Sequence, residues 1–205
     1  MAKIKLTKGE LKKQRDSLRQ FERYLPTLQL KKQQLQMEIL HWHSLAEERR
    51  RLEDSKKLSI LSWAGLLSEQ DVSLEQWIRP ARVVTSARNI AGVDLAVLER
   101  VEFSEAEYDL FLTPVWIDKA IDFLRELVSL EEEIRYIEMA VETLKQELRV
   151  TAQRVNLFEK VKIPEAQEAI RRIKIYIGDQ MANAVGRCKI AKRKIEDMDL
   201  LEVAA

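Results

Sequence analysis

The stretch Arg154–Ile173, RVNLFEKVKIPEAQEAIRRI, keeps apolar residues at three-four spacing up to Phe158, meets Pro164, and resumes the spacing at Ala166, Ile170 and Ile173. A proline inside a helix removes one backbone hydrogen bond and crowds the carbonyl four residues back, at a cost of about 3 kcal/mol. If Pro164 ends a helix, the C-terminal part of the chain is two ordinary elements. If it only bends one, residues 116 to 199 form a helix of roughly 125 Å at 1.5 Å per residue, too long for a compact domain.

The flanking sequence favours the bend. Upstream, Trp116, Ala120, Phe123, Leu127, Leu130, Ile134, Ile137, Val141, Leu144, Leu148, Thr151, Val155 and Phe158 alternate steps of four and three without a slip, Thr151 being the one polar member. That is the heptad seam of a left-handed coiled coil. Downstream it continues through Ile177, Met181, Ala184, Cys188, Ala191, Ile195 and Met198, with one extra residue between Ile177 and Met181 that would locally unwind the supercoil. Seam contacts at about 1.5–3 kcal/mol each can absorb the proline. A C-terminal helix is therefore expected over 114–199, with Thr113 as N-cap, Pro114 in the first turn and a tail at 200–205. Its far end should be slender, because small seam residues bury little and Gly178 and Gly186 each cost about 1 kcal/mol relative to alanine.

Residues 1–58 supply the mate. Thr7 and Glu10 form a capping box, followed in one register by Leu11, Leu18, Phe21, Leu25, Leu28, Leu35, Ile39, Trp42 and Ala46, with Gln14 and Lys32 as polar interruptions and a kink expected at Pro26. Residues 59–113 change character. In ARVVTSARNIAGVDLAVLERVEF, β-branched runs flank NIAG, which predicts a hairpin over about 82–102 with Gly92 taking the special backbone angle. LSEQDVSLEQWI before it reads as a short helix or turn, and Ser104 with Glu107 predicts a brief capped helix ending near Thr113. The expected fold is mainly α: an antiparallel two-helix coiled coil of the terminal segments, joined by a small mixed head.

Composition agrees. Five glycines, four prolines and 34% charged residues leave too little turn chemistry for a sandwich or a βαβ fold. The net charge of +1 conceals segregation: residues 1–24 carry eight Lys/Arg against three Asp/Glu, 161–195 nine against three, and 59–160 eleven against nineteen. An antiparallel pairing would set a basic pole against an acidic one. A single cysteine, no signal-like start and no 18-residue apolar run predict a cytoplasmic protein that reaches a membrane only through partners, without inserting directly.

No catalytic, metal or cofactor site is expected. His41 and His43 flank Trp42 and, two apart on a helix, do not share a face; they read as solvated neighbours of a seam tryptophan. Cys188 holds a seam position, where a small buried thiol is the ordinary reading. The chain lacks GxxxxGK, GxGxxG and GxSxG motifs. Glu131, Glu132 and Glu133 read as a solvated coil face. The basic runs lack interleaved aromatics, so nucleic acid is not an expected partner. A cytosolic coiled-coil scaffold or tether is the alternative these residues leave open.

Three motifs carry a resemblance. LTKGELKKQRDSLRQFERYLPTLQLKKQQL resembles the start of the D subunits of the V-type and A-type rotary ATPases, NIAGVDL their central hairpin, and RVNLFEKVKIPEAQEAIRRI their later signature. Ala96 departs from the family pattern, as does the small-residue-rich segment GDQMANAVGRCKIAKRKI. The resemblance implies a central rotor stalk that inserts its terminal helices into a ring of A and B subunits, binds the F subunit of the stalk, rests on a membrane-side socket subunit, and carries torque between ATP turnover and proton or sodium passage. It further implies that Lys12, Arg15, Arg171, Arg172, Lys174, Arg187, Lys189, Lys192 and Arg193 face the ring, and that the hairpin at Asn89, Ile90, Ala91, Gly92, Val93 and Asp94 regulates hydrolysis or docks the F subunit.

Overall fold

A computed structural model describes residues 5–65, 74–108 and 113–203, with side chains as far as Asp197. Helix α1 runs Lys8–Ile60 and passes through Pro26 unbroken; α2 is the short Glu75–Ile78; strands β1, Pro80–Ile90, and β2, Val93–Phe103, form an antiparallel hairpin. Helix α3 spans Ile117–Leu157, a π-helical turn occupies Phe158–Lys162, and α4 spans Ile163–Val203. The chain divides into two compact units, Met1–Leu30 with Ala152–Ala205, and Lys31–Thr151.

In the Lys31–Thr151 unit, α1 and α3 pair in opposite directions. Lys31 meets Glu147 at 3.0 Å and Arg49 meets Glu133 at 3.0 Å, while Arg50 pairs with Glu138 and Lys56 with Glu126. Every cation of these pairs lies on α1 and every anion on α3. Half-exposed pairs contribute at most about 1 kcal/mol each, so they select direction more than they supply stability. Stability comes from the seam, where Leu35, Ile39, Trp42 and Ala46 of α1 cluster with Ile137, Ala140, Val141 and Leu144 of α3.

Ile90 and Leu95 of the hairpin join the same cluster, so the sheet lies with one face on the two helices. The two-residue turn, Ala91 and Gly92, has φ of +51° and +77°, the mirror-image geometry whose twist matches the strands. Gly92 takes this angle freely, whereas Ala91 is strained by its Cβ. Asn89 compensates: its Oδ1 accepts the Gly92 N–H at 3.2 Å and its Nδ2 donates to Asp94 at 2.6 Å. Ala91→Asn should raise the stability of this unit by about 0.5–1 kcal/mol, measurable by urea denaturation, because asparagine tolerates the left-handed angle.

The beginning of α3 differs from the expected one. The N–H of Ile117 bonds the Pro114 carbonyl at 3.1 Å, and the first four-residue bond runs from Ala120 to Trp116 at 3.0 Å. A tight turn at Pro114–Trp116 thus separates Thr113 from the helix, and Thr113 is not its N-cap. Residues 104–108 are not helical either, and the remainder of that expected segment, like Leu67–Ser73 of the short helix or turn, lies outside the described residues. Arg125 of α3 ties these irregular segments down instead. It donates to the Trp77 carbonyl at 3.0 Å and the Ser104 carbonyl at 2.6 Å, and its guanidinium lies 5.4 Å from the Phe103 ring centroid.

In the other unit, α1 opens with Thr7, whose Oγ1 accepts the Glu10 N–H at 3.3 Å, while the Glu10 carboxylate accepts from Gln14 at 2.8 Å. The rings of Phe21 and Phe158 stand 5.2 Å apart. Pro164 does not end the helix. The Ile163 N–H reaches back five residues to the Phe158 carbonyl, widening the turn just before the proline, and α4 continues through it. The sequence contains a second reason for this widening. From Phe158 to the next buried seam residue, Ala166, is eight positions, one more than a heptad allows, and a π-turn accommodates one surplus residue without rotating the seam off its partner. Accordingly Pro164→Ala alone should leave the wide turn in place, and deleting Lys160 in that background should close it to regular α-helix. Backbone chemical shifts over 156–166 distinguish the two results.

Candidate interaction surfaces

Two exposed features stand out against the paired coil. The first is the end of α4. Val155, Ala166, Ala169, Ile170 and Ile173 are buried, but from Gly178 to Asp197 every residue is exposed, Met181 at 53% and Ile195 at 59%. The seam expected through Met181, Ala184, Cys188, Ala191 and Ile195 is therefore left uncovered by the described residues, and Cys188 is an exposed thiol instead of a buried one. Met198 lies beyond the described side chains. The pattern identified residues that want covering but could not say what covers them.

All nine basic residues expected to face a ring belong to the Met1–Leu30 and Ala152–Ala205 unit, and all are exposed. They are not equivalent. Arg171 and Arg172 both clasp Glu168, at 2.8 Å and 2.9 Å, and Lys192 lies 3.5 Å from Glu196. Lys12, Arg15, Lys174, Arg187, Lys189 and Arg193 make no ion pair among the described residues. Hydrogen bonds from the two arginines hold the Glu168 carboxyl at about 2, well below its ordinary 4.5. Because the folded value is depressed, the clasp is fully present above pH 4.5 and is lost as pH falls through about 2. The carboxyl carbon of Glu168, followed by NMR, should titrate near 2, and near 4.5 in an Arg171→Gln/Arg172→Gln variant.

The second feature is the hairpin. Its turn packs inward at Ile90 and half-buries Ala91 and Val93, while Asn89, Gly92 and Asp94 are exposed. The expected seam residues fall on the inner faces of the helices: Leu35, Ile134, Ile137, Val141, Leu144 and Val155 are buried, and Leu11, Leu18, Phe21, Leu25, Leu28, Leu127, Leu130, Leu148 and Phe158 are half-buried. Arg49 extends the α1 seam beyond Ala46, its buried Nε ion-paired with Glu133 at an angle that makes no hydrogen bond. Only its three-residue step after Ala46 could have flagged it in the sequence. His41 and His43 are exposed on either side of buried Trp42. Among the described residues, no cluster of His, Cys, Asp and Glu could hold a metal ion, and no helix is long and apolar enough to cross a membrane.

An antiparallel helix pair carrying a hairpin in the Lys31–Thr151 unit, and an exposed basic helix end in the other unit, define a helical coiled-coil protein. Residues 10–193 match the family of ATP synthase D subunits. The V-type ATP synthase D subunit of Borreliella burgdorferi is 45% identical, over 95% of this chain and 96% of its own. Those of Chlamydia abortus and Chlamydia trachomatis serovar L2 are 35% and 33% identical, each over 95% of this chain and over 95% and 97% of their own. The chain belongs to the ATP synthase D-subunit family.

Proposed function

We propose that the chain is a non-catalytic central-stalk component of a V-type rotary ATPase, carrying torque between ATP hydrolysis or synthesis in a ring of A and B subunits and ion translocation in the membrane sector. The observation that carries this reading is the bare end of α4. An apolar seam with exposed Met181, Val185, Ile190 and Ile195, set among cations such as Arg187, Lys189 and Arg193 that make no ion pair among the described residues, is a surface made to be enclosed by something else. Twist passes along a rod only if its strands cannot slide, and the interlocked seam supplies that resistance. Chemically identical catalytic sites can be driven into different conformations only by an axle that presents a different face to each; Pro26 and the wide turn before Pro164 are sources of such asymmetry.

In this reading Lys12, Arg15, Lys174, Arg187, Lys189 and Arg193 meet the inner wall of the ring, with Arg171, Arg172 and Lys192 contributing after exchange of their glutamate partners. The F subunit binds the coil and the hairpin region, and a socket subunit links the stalk to the membrane sector. Residues 1–58 and 114–199 serve as the shaft, and 59–113 as the head. The protein is accordingly cytoplasmic and peripheral to the membrane. Co-expression with A, B and F subunits tests this: one copy per A/B hexamer is expected, with ATP-driven rotation of a bead on the head. Several copies per ring, or unchanged coupling after combined charge reversal at Arg187, Lys189 and Arg193, would overturn it.

A further inference from the structure

Apolar contact anchors the hairpin near its turn, since all its members of the core cluster lie between Ile90 and Val97. Its base stands about 30 Å further along the strands, at about 3.3 Å per residue. There the ladder is weakest: it ends with Pro80, which has no N–H to donate, opposite Phe103, and the register shifts between Pro80 and Arg82. A ribbon held at its turn alone would swing about that end.

One side chain of α3 grips the base from both sides. The Arg125 guanidinium donates to the carbonyl of Trp77, just ahead of β1, and to that of Ser104, just behind β2, and it lies over the ring of Phe103 between them. The segment leaving the base is held again further on, where the Tyr108 hydroxyl donates to Asp118 of α3 and the Tyr108 ring stands 5.1 Å from that of Trp77. Neither α-helix nor strand runs through 61–65, 104–108 or 113–116. Side-chain bonds from α3 therefore brace what the backbone ladders leave unbraced.

We propose that Arg125 is a positioning residue for torque: the brace that makes the hairpin base and α3 turn as one body. Its chemistry fits the task. A planar guanidinium presents its donors at fixed angles, so two carbonyls and an aromatic face are held in one mutual geometry. A lysine ammonium is a point charge on a flexible stem and imposes no such geometry. The role in torque rests on the stalk reading; the brace itself does not.

Two measurements on Arg125→Gln and Arg125→Lys test the proposal. In the purified chain, Arg125→Gln should speed amide deuterium exchange over 77–79 and 101–103 roughly tenfold or more, and leave 35–46 and 137–144 unchanged. In the assembled complex, a bead is attached at the exposed hairpin base through Ala81→Cys in a Cys188→Ser background. Its angular variance during pauses without ATP should rise roughly twofold or more in Arg125→Gln, with Arg125→Lys between that variant and the unsubstituted chain. Unchanged exchange over 77–79 and 101–103 overturns the brace, as does acceleration that spreads through 35–46 and 137–144. Faster exchange at the base with unchanged angular variance overturns the role in torque. Failure of the wild-type chain to enter the complex overturns the stalk reading and the torque role with it, while the exchange result still decides the brace.

Discussion

Leu144→Ala is expected to destabilise the Lys31–Thr151 unit by about 3–5 kcal/mol, the upper range for a buried leucine, because the surrounding seam cannot collapse into the space left behind. Leu144 is fully buried and belongs to the cluster that holds α1, α3 and the hairpin together. A rigid two-helix seam has few neighbours to shift inward, so the cavity persists and its cost is not relieved. Urea denaturation followed by circular dichroism measures the loss. A change below about 1 kcal/mol would mean that the seam does not hold this unit together.

Leu95→Asp should detach the hairpin. Leu95 is 2% exposed and, with Ile90, is the hairpin's main anchor in that cluster. The substitution removes about 2–3 kcal/mol of apolar burial and forces a carboxylate into a buried site, where the exposed Arg88 across the strand pair offsets only part of the cost. The two helices retain their own seam, so the expected outcome is local: amides of β1 and β2 exchange rapidly with deuterium, while those of α1 and α3 remain protected. Ala96→Asp, one residue along on the exposed face, should change stability by no more than about 0.5 kcal/mol. Unaltered hairpin protection in Leu95→Asp would show that the sheet is held by something other than its buried face.

These residues also show how much of the fold is legible in the sequence. The alternation of four and three places Leu144 and Val141 inward because heptad spacing is a property of one strand alone, whatever its partner. The hairpin is legible because Gly92 between β-branched runs permits few other backbones, although the positive φ of Ala91 gives no sign in advance. Cys188 fails for the complementary reason. Its spacing is that of a buried seam, but burial needs a second surface, and the end of α4 meets none among the described residues. The cap at Thr113 fails because a turn at Pro114 can either open a helix or precede one, and local propensity does not distinguish them. The eight-residue step from Phe158 to Ala166 is visible, yet it carries meaning only once the wide turn shows where the surplus residue goes. Arg125 is beyond reach, since its partners are backbone carbonyls at Trp77 and Ser104 that only the folded chain brings near. Of the candidate contact residues, sequence shows the charge of Arg171 and Arg172 but not their shared commitment to Glu168.

The pairing of the first and last helices within one chain is tested most directly by cross-linking. In a Cys188→Ser background, Phe21→Cys/Phe158→Cys should be bridged by a short bismaleimide in high yield, as a monomer of faster electrophoretic mobility, because those rings are 5.2 Å apart. Failure to cross-link, or a product that is a covalent dimer, would mean that the two helices do not pair with each other.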